Sequence, residues 1–138
     1  MIKYNLFTCL ALLTGLFTNA QPGTYKVVFD LTSKDSVNQQ AVIRELTLIR
    51  QSNPDAQMEV VVYGQGLDLV TNEPSARHAA VEQLLADKKI TFKVCAMTMK
   101  RNNVDKSRLI TGVEVVPDGI YEIISKQQAG WGYIKVAH

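Results

Sequence analysis

The sequence has few of the residues that build disulfide scaffolds, linkers and aromatic platforms. Its 138 residues include two cysteines, four prolines and one tryptophan, and aromatic residues make up 7% of the chain. No low-complexity tract, internal repeat or linker interrupts it. A disulfide-rich fold is therefore excluded. This length accommodates one domain, which must be stabilised by its apolar core.

A large excess of charge of one sign is also lacking. Lysine and arginine total 15 against 13 aspartates and glutamates, which gives a formal net charge of +2. A domain this close to neutrality has no electrostatic reason to bind nucleic acid or an anionic membrane surface. Neither is predicted as a partner.

The one long apolar run is too short to span a membrane. Residues 1–20 contain Lys3, then an apolar run of roughly a dozen residues, then small residues. A membrane-spanning helix needs about 20 apolar residues. This order is typical of a signal peptide cleaved before Gln21, and it fits a buried N-terminal helix less well. We therefore expect a periplasmic or secreted protein whose domain covers residues 21–138.

Cleavage would remove Cys9 and leave Cys95 as the single cysteine. The domain would then have no internal disulfide, and a lone thiol in an oxidising compartment is a candidate reactive group. No CxxC pair, nucleophile elbow or paired-carboxylate signature is present. His78 has no second histidine at a metal-ligand spacing, so no metal and no cofactor are predicted.

Apolar residues alternate between two periods along the chain. Short runs rich in β-branched residues predict strands at 26–31, 58–63, 90–94, 113–116 and 131–136. Helical spacing and cap residues predict helices over about 36–52, 74–89 and 118–129, and a short helix at 102–109. Strands that alternate with helices form right-handed crossovers. The sequence therefore predicts an α/β fold with a mostly parallel sheet and helices on both faces.

Parallel α/β sheets bind their ligands beyond the carboxyl ends of the strands. Asp30, Gly64 and Cys95 lie at three of the predicted strand ends. Cys95 is therefore predicted at the edge where this architecture places its chemistry. The Gly64-Gln65-Gly66 spacing lacks the third glycine of a dinucleotide-binding loop, so a tight turn is favoured over phosphate binding. A flavodoxin-like layout alone does not indicate a nucleotide or flavin.

Four segments carry a resemblance to the DsrE/DsrF-like family, which includes sulfur-relay subunits and YchN-type proteins. They are VVVYGQG at 60–66, FKVCAMTM at 92–99, VVPDGI at 115–120 and QQAGWGYI at 127–134. The resemblance implies a three-layer α/β/α sandwich with a five-stranded sheet, assembled into a homo-oligomer, a trimer or a hexamer. In the sulfur-relay members a cysteine after the third strand carries sulfur as a persulfide, and Cys95 matches that position. Many relatives have asparagine two places later, where this chain has Met97.

Two roles for Cys95 follow, and the sequence does not decide between them or say whether catalysis occurs. In the first, Cys95 takes sulfane sulfur from a thiol or persulfide donor protein, and Thr98, Lys100 and Gly64 contact the substrate. The nearby positive charge of Lys100 would favour the thiolate that such chemistry needs. In the second, the protein is a non-catalytic oligomeric binding protein with a structural cysteine, because free cysteine is among the most buried residue types.

Overall fold

The computed structural model describes residues 23–73 and 76–136, so the predicted signal peptide lies outside the described residues. Within these two ranges, five strands alternate with four α-helices. In order they are β1 (Lys26–Leu31), α1 (Ser36–Ser52), β2 (Gln57–Val62), α2 (Ala76–Leu85), β3 (Ile90–Cys95), α3 (Ala96–Arg101), β4 (Glu114–Val116), α4 (Gly119–Gln128) and β5 (Gly132–Val136).

All five strands pair in parallel, in the order β4-β3-β2-β1-β5. This confirms the predicted α/β sandwich and five-stranded sheet, and it makes the sheet fully parallel. The carboxyl ends of the five strands consequently lie along one edge, which we call the carboxyl edge. Cys95 stands there opposite Val116 of β4.

The two faces of the sheet differ sharply in polarity because successive side chains of a strand point to opposite faces. Phe29, Val60 and Phe92 belong to the main apolar core, on the face packed against α1 and α2. The opposite face is covered by α4, and Val28 and Val61 form a small second cluster there with α4. The fold therefore has three layers, with one helix shielding a sheet face that also carries charged side chains.

Sequence patterns placed most helices correctly but misplaced one. Asp35 caps α1 by accepting a hydrogen bond from the Val37 amide at 2.7 Å, and α1 ends before Pro54. The short helix predicted at 102–109 is wrong, because α3 begins at Ala96, directly after β3, and ends at Arg101. Asn103 then adopts a φ of +52°, which lies outside the right-handed helical region, so the helix cannot continue through this residue. Only a single 3₁₀ turn follows, at Lys106–Arg108.

Across residues 23–73 and 76–136, no helix combines the length and the apolar character needed to cross a bilayer.

Candidate functional site

Cys95 is the last residue of β3 and the residue before α3, and its side chain is 6% exposed. It is a free thiol. Its neighbour across the site is Gly119, the first residue of α4. A methyl group built on Gly119 would lie 3.2 Å from both Cβ of Cys95 and Cγ1 of Val61. The first turn of α4 can approach the thiol this closely because position 119 has no side chain.

Polar groups from two helices act on the sulfur. Burial by itself would raise the pKa of the Cys95 thiol, but the amides of Gly119, Thr98 and Met97 and the Thr98 hydroxyl together lower it below its usual value. The thiol makes no capping hydrogen bond of regular geometry to α3. These donors therefore act mainly on the thiolate, since interactions with a charged acceptor are the stronger ones.

The cap of α4 explains why its first amide is available to Cys95. Asp118 accepts hydrogen bonds from the amides of Ile120 at 2.8 Å and Tyr121 at 3.3 Å. The amide of Gly119 is not used by this cap, and it lies close enough to Cys95 to lower the pKa of the thiol. Sequence reasoning identified Asp118 as a cap but missed Gly119, because only the pairing of β4 with β3 brings the start of α4 beside Cys95.

Two of the predicted substrate-binding residues meet beside Cys95. The amide of Gly64 donates to Oγ1 of Thr98 at 3.1 Å, so the Thr98 hydroxyl still has its own proton to donate, and this hydroxyl lowers the pKa of the Cys95 thiol. Gly64 adopts a φ of +59°, a conformation that favours glycine. Lys100 lies instead on the last turn of α3, exposed, beside a separate cavity that Asn103 also lines. Contacts of all three with a substrate remain predictions.

A second polar cluster stands near Cys95 at the ends of β1 and β5. Asp30 is 4% exposed, and it accepts hydrogen bonds from the Tyr133 hydroxyl at 2.7 Å and Lys135 Nζ at 3.1 Å. Burial and then Asp30 raise the pKa of Tyr63 to about 12, and the hydrogen bond to Asp30, followed by burial, raises that of Tyr133 to about 12. Both phenols stay protonated at neutral pH. Lys135 balances the Asp30 charge, so this cluster adds little net charge opposing a thiolate.

The Gly64-Gln65-Gly66 segment, predicted as a tight turn, is the first turn of a 3₁₀ helix that spans Gly64–Val70, and it does not form a phosphate cradle. All three amides bond within the protein: Gly64 to Thr98, Gln65 to the Thr32 carbonyl at 3.1 Å and Gly66 to the Tyr63 carbonyl at 3.2 Å. No amide of the turn is left for a ligand. Within the described part of the chain, no group of three or more side chains is placed to hold a metal ion.

Comparisons with solved structures agree on the architecture. The structure resembles the protein of unknown function MTH1491 from Methanobacterium thermoautotrophicum with a TM-score of 0.76 at 27% identity, over 80% of this chain and 98% of that one. It also resembles the ychN protein from E. coli (TM-score 0.66, 14% identity, 81% and 98% covered). A third similar structure is BT1422 from Bacteroides thetaiotaomicron (TM-score 0.68, 15% identity, 80% and 94% covered).

Sequence comparison gives the family directly. None of the functionally curated proteins matches the chain. The model of the DsrE/DsrF-like family, in contrast, matches residues 26–136, which includes every strand of the sheet and the whole of the Cys95 site. The chain therefore belongs to the DsrE/DsrF-like family.

Proposed function

We propose that the protein is a sulfur carrier that holds sulfane sulfur as a persulfide on Cys95. The observation that carries the proposal is the convergence of the Gly119, Thr98 and Met97 amides and the Thr98 hydroxyl on one thiol, with a lowered pKa. A structural cysteine has no need of four donor groups, because the neutral thiol is a weak acceptor. Membership of a family with sulfur-relay members supports the same reading.

The chemistry needs no oxidant or reductant. The Cys95 thiolate attacks the outer sulfur of a donor persulfide, R–S–SH, and the donor's S–S bond breaks. The donor leaves as R–S⁻ with the bonding electron pair, and Cys95 becomes Cys95–S–SH. An acceptor thiolate then attacks that outer sulfur, and Cys95 leaves as a thiolate. The surrounding donors favour this second step because they stabilise the departing thiolate.

The low exposure of Cys95 fits a carrier that reacts through its outer sulfur. An S–S bond is about 2 Å long, so the transferred atom lies about 2 Å from Sγ, outside the position of the thiol sulfur. A thiol that is 6% exposed can thus keep its own sulfur within the shell of amides. The atom that is passed on extends toward the acceptor.

The alternative, a non-catalytic oligomeric binding protein with a structural cysteine, has one observation in its favour. The Cys95 side chain is buried, as structural cysteines usually are. The predicted export also favours this alternative, because an oxidising compartment tends to block a persulfide by oxidation. The two functions differ in one measurable property, the reactivity of the native thiol.

The proposal is tested by intact-mass spectrometry of the mature protein, residues 21–138, which lacks Cys9, after incubation with thiosulfate and a rhodanese as persulfide donor. We expect wild-type protein to gain the mass of one sulfur atom, which a reducing agent then removes. The Cys95→Ser variant should gain nothing. An equal gain in Cys95→Ser, or no gain in wild type together with a thiol that alkylates only after denaturation, would establish the structural alternative.

An exposed apolar patch near the site supports the proposed homo-oligomer, a trimer or a hexamer. The patch consists of Met97 at the start of α3 and Ile120, Tyr121 and Ile124 on α4, all of them more than a third exposed. Exposed apolar side chains grouped on neighbouring helices are typical of interaction sites. Light scattering should give the mass of three or six chains for wild type, and of one chain for Tyr121→Lys. A monomeric wild type would contradict the oligomer.

A further inference from the structure

A separate cavity of about 650 Å³ opens at the carboxyl edge, and Gly64, whose amide bonds to Thr98, is one of its lining residues. Its walls come from the loop after β1, the segment from Gly64 to Glu73, the start of α2 and the segment that follows α3. This volume lies within the range of small-molecule sites. Cys95 is not among its lining residues.

Three cations from three parts of the chain line this cavity: Lys34, Arg77 and Arg108. Arg108 is paired with Glu73 at 2.8 Å. Lys34 and Arg77 have no ion-pair partner among residues 23–73 and 76–136. Two positive charges that line one cavity, and that form no ion pair with its carboxylates, are suited to an anionic group, and an arginine adds bidentate geometry for an oxyanion.

Backbone pairing fixes part of the cavity wall. The amide of Asn72 donates to the Arg108 carbonyl at 2.6 Å, and the amide of Ile110 donates to the Val70 carbonyl at 2.9 Å. Thr71 and Leu109 form a β-bridge between them. The backbone that carries Arg108 is thus held beside Thr71 before any ligand arrives, which reduces the entropy lost on binding.

The rest of the lining consists mainly of hydrogen-bonding groups. Asp68 and Glu73 provide carboxylate acceptors, and Asn102 provides an amide. Gln39, which is fully buried, donates from Nε2 to Asp68 Oδ1 at 2.7 Å and so fixes that carboxylate. Among the described residues that line the cavity, none has an aromatic ring on which a base or a flavin could stack. Carboxylates and amides without an aromatic platform suit a hydroxyl-rich molecule.

We propose that this cavity binds a phosphorylated polyol, such as a sugar phosphate. Lys34, Arg77 and Arg108 hold the phosphate, and Asp68 and Glu73 accept hydrogen bonds from hydroxyl groups. Side chains have to bind the phosphate, because the amides of the Gly64-Gln65-Gly66 turn are already used. The site is independent of sulfur chemistry at Cys95, so either function can fail without the other.

The probes for isothermal titration calorimetry are glucose 6-phosphate, glucose and inorganic phosphate. We expect glucose 6-phosphate to bind the purified protein saturably. Its affinity should be at least about tenfold higher than that of glucose or of inorganic phosphate. Lys34→Gln and Arg77→Gln should each weaken binding by about tenfold or more. Lys100→Gln, at the separate cavity beside α3, is the matched control and should leave binding unchanged, with circular dichroism verifying that each variant is folded.

Three results would overturn the proposal. They are the absence of saturable heat with glucose 6-phosphate at millimolar concentration, equally tight binding of inorganic phosphate, and equal weakening by Lys100→Gln. Amide chemical shifts of labelled protein provide a second readout. Changes on titration should centre on Gly64, Thr71 and Asn102, and changes centred on Cys95 and Gly119 instead would also overturn it.

Discussion

Gly119→Ala is expected to raise the pKa of the Cys95 thiol and to slow its alkylation at mildly acidic pH by about tenfold. The added methyl group would lie 3.2 Å from Cβ of Cys95 and from Cγ1 of Val61, which is tighter than ordinary contact. Relief of that contact moves the start of α4, and with it the Gly119 amide, away from the sulfur. The thiolate then loses one of its donors while the burial that opposes it remains.

Ultraviolet absorbance of the thiolate, followed against pH, measures this effect without the steric bias of an alkylating reagent. Thr98→Val tests the same donor shell, the amides of Gly119, Thr98 and Met97 and the Thr98 hydroxyl, without adding bulk. It removes the hydroxyl that lowers the pKa of the thiol. Thr98→Ser keeps the hydroxyl and should titrate like wild type. Gly23→Ala, whose methyl group would meet no atom within 4 Å, is the control for Gly119→Ala. Titration curves that coincide for wild type, Gly119→Ala and Thr98→Val would refute the role of the donor shell.

Glu59→Ala is expected to lower the free energy of unfolding by about 3 kcal/mol. Glu59 lies on the polar face of the sheet and is 1% exposed. Its Oε2 lies 2.9 Å from Lys126 Nζ and 3.2 Å from Lys93 Nζ. Truncation leaves two lysines to share the single carboxylate of Glu122, which both already contact. The expected loss is at the lower end for a buried ion pair because both lysines keep some contact with water.

Glu59→Gln should cost less than Glu59→Ala. Burial raises the pKa of Glu59, and the hydrogen bond and charge of Lys126 and the charge of Lys93 oppose this only in part. The site therefore already tolerates a neutral group, and glutamine fills the same volume. Urea unfolding of both variants measures the difference, with Glu114→Ala, an exposed position on β4, as the matched control. A loss for Glu59→Ala no greater than that for Glu114→Ala would show that the network contributes nothing measurable.

The parts of the candidate site that the sequence predicted are those encoded by position along a single strand. Cys95 ends a strand pattern, and Gly64 follows another, so both were placed at the carboxyl edge. Thr98 was placed close to Cys95 by sequence separation alone. The same reasoning placed Lys100 near the thiol, yet α3 carries Lys100 to its far end, beside a different cavity. Proximity in sequence did not predict the direction in which the Lys100 side chain points, because each residue of a helix is rotated by about 100° from the one before it.

The sequence alone determined the alternation of strands and helices, and with it the parallel sheet, because hydrophobic period is a local property of the chain. It also determined that Cys95 stands at the end of β3. Tertiary structure decided everything that depends on strand order. The Gly119 amide reaches Cys95 because β4 lies beside β3, and Asp30 meets Lys135, 105 positions away, because β5 lies beside β1. Contacts between distant segments leave no periodic trace in the sequence, so the donor shell of the thiol and the charged face beneath α4 emerge only when the sheet assembles.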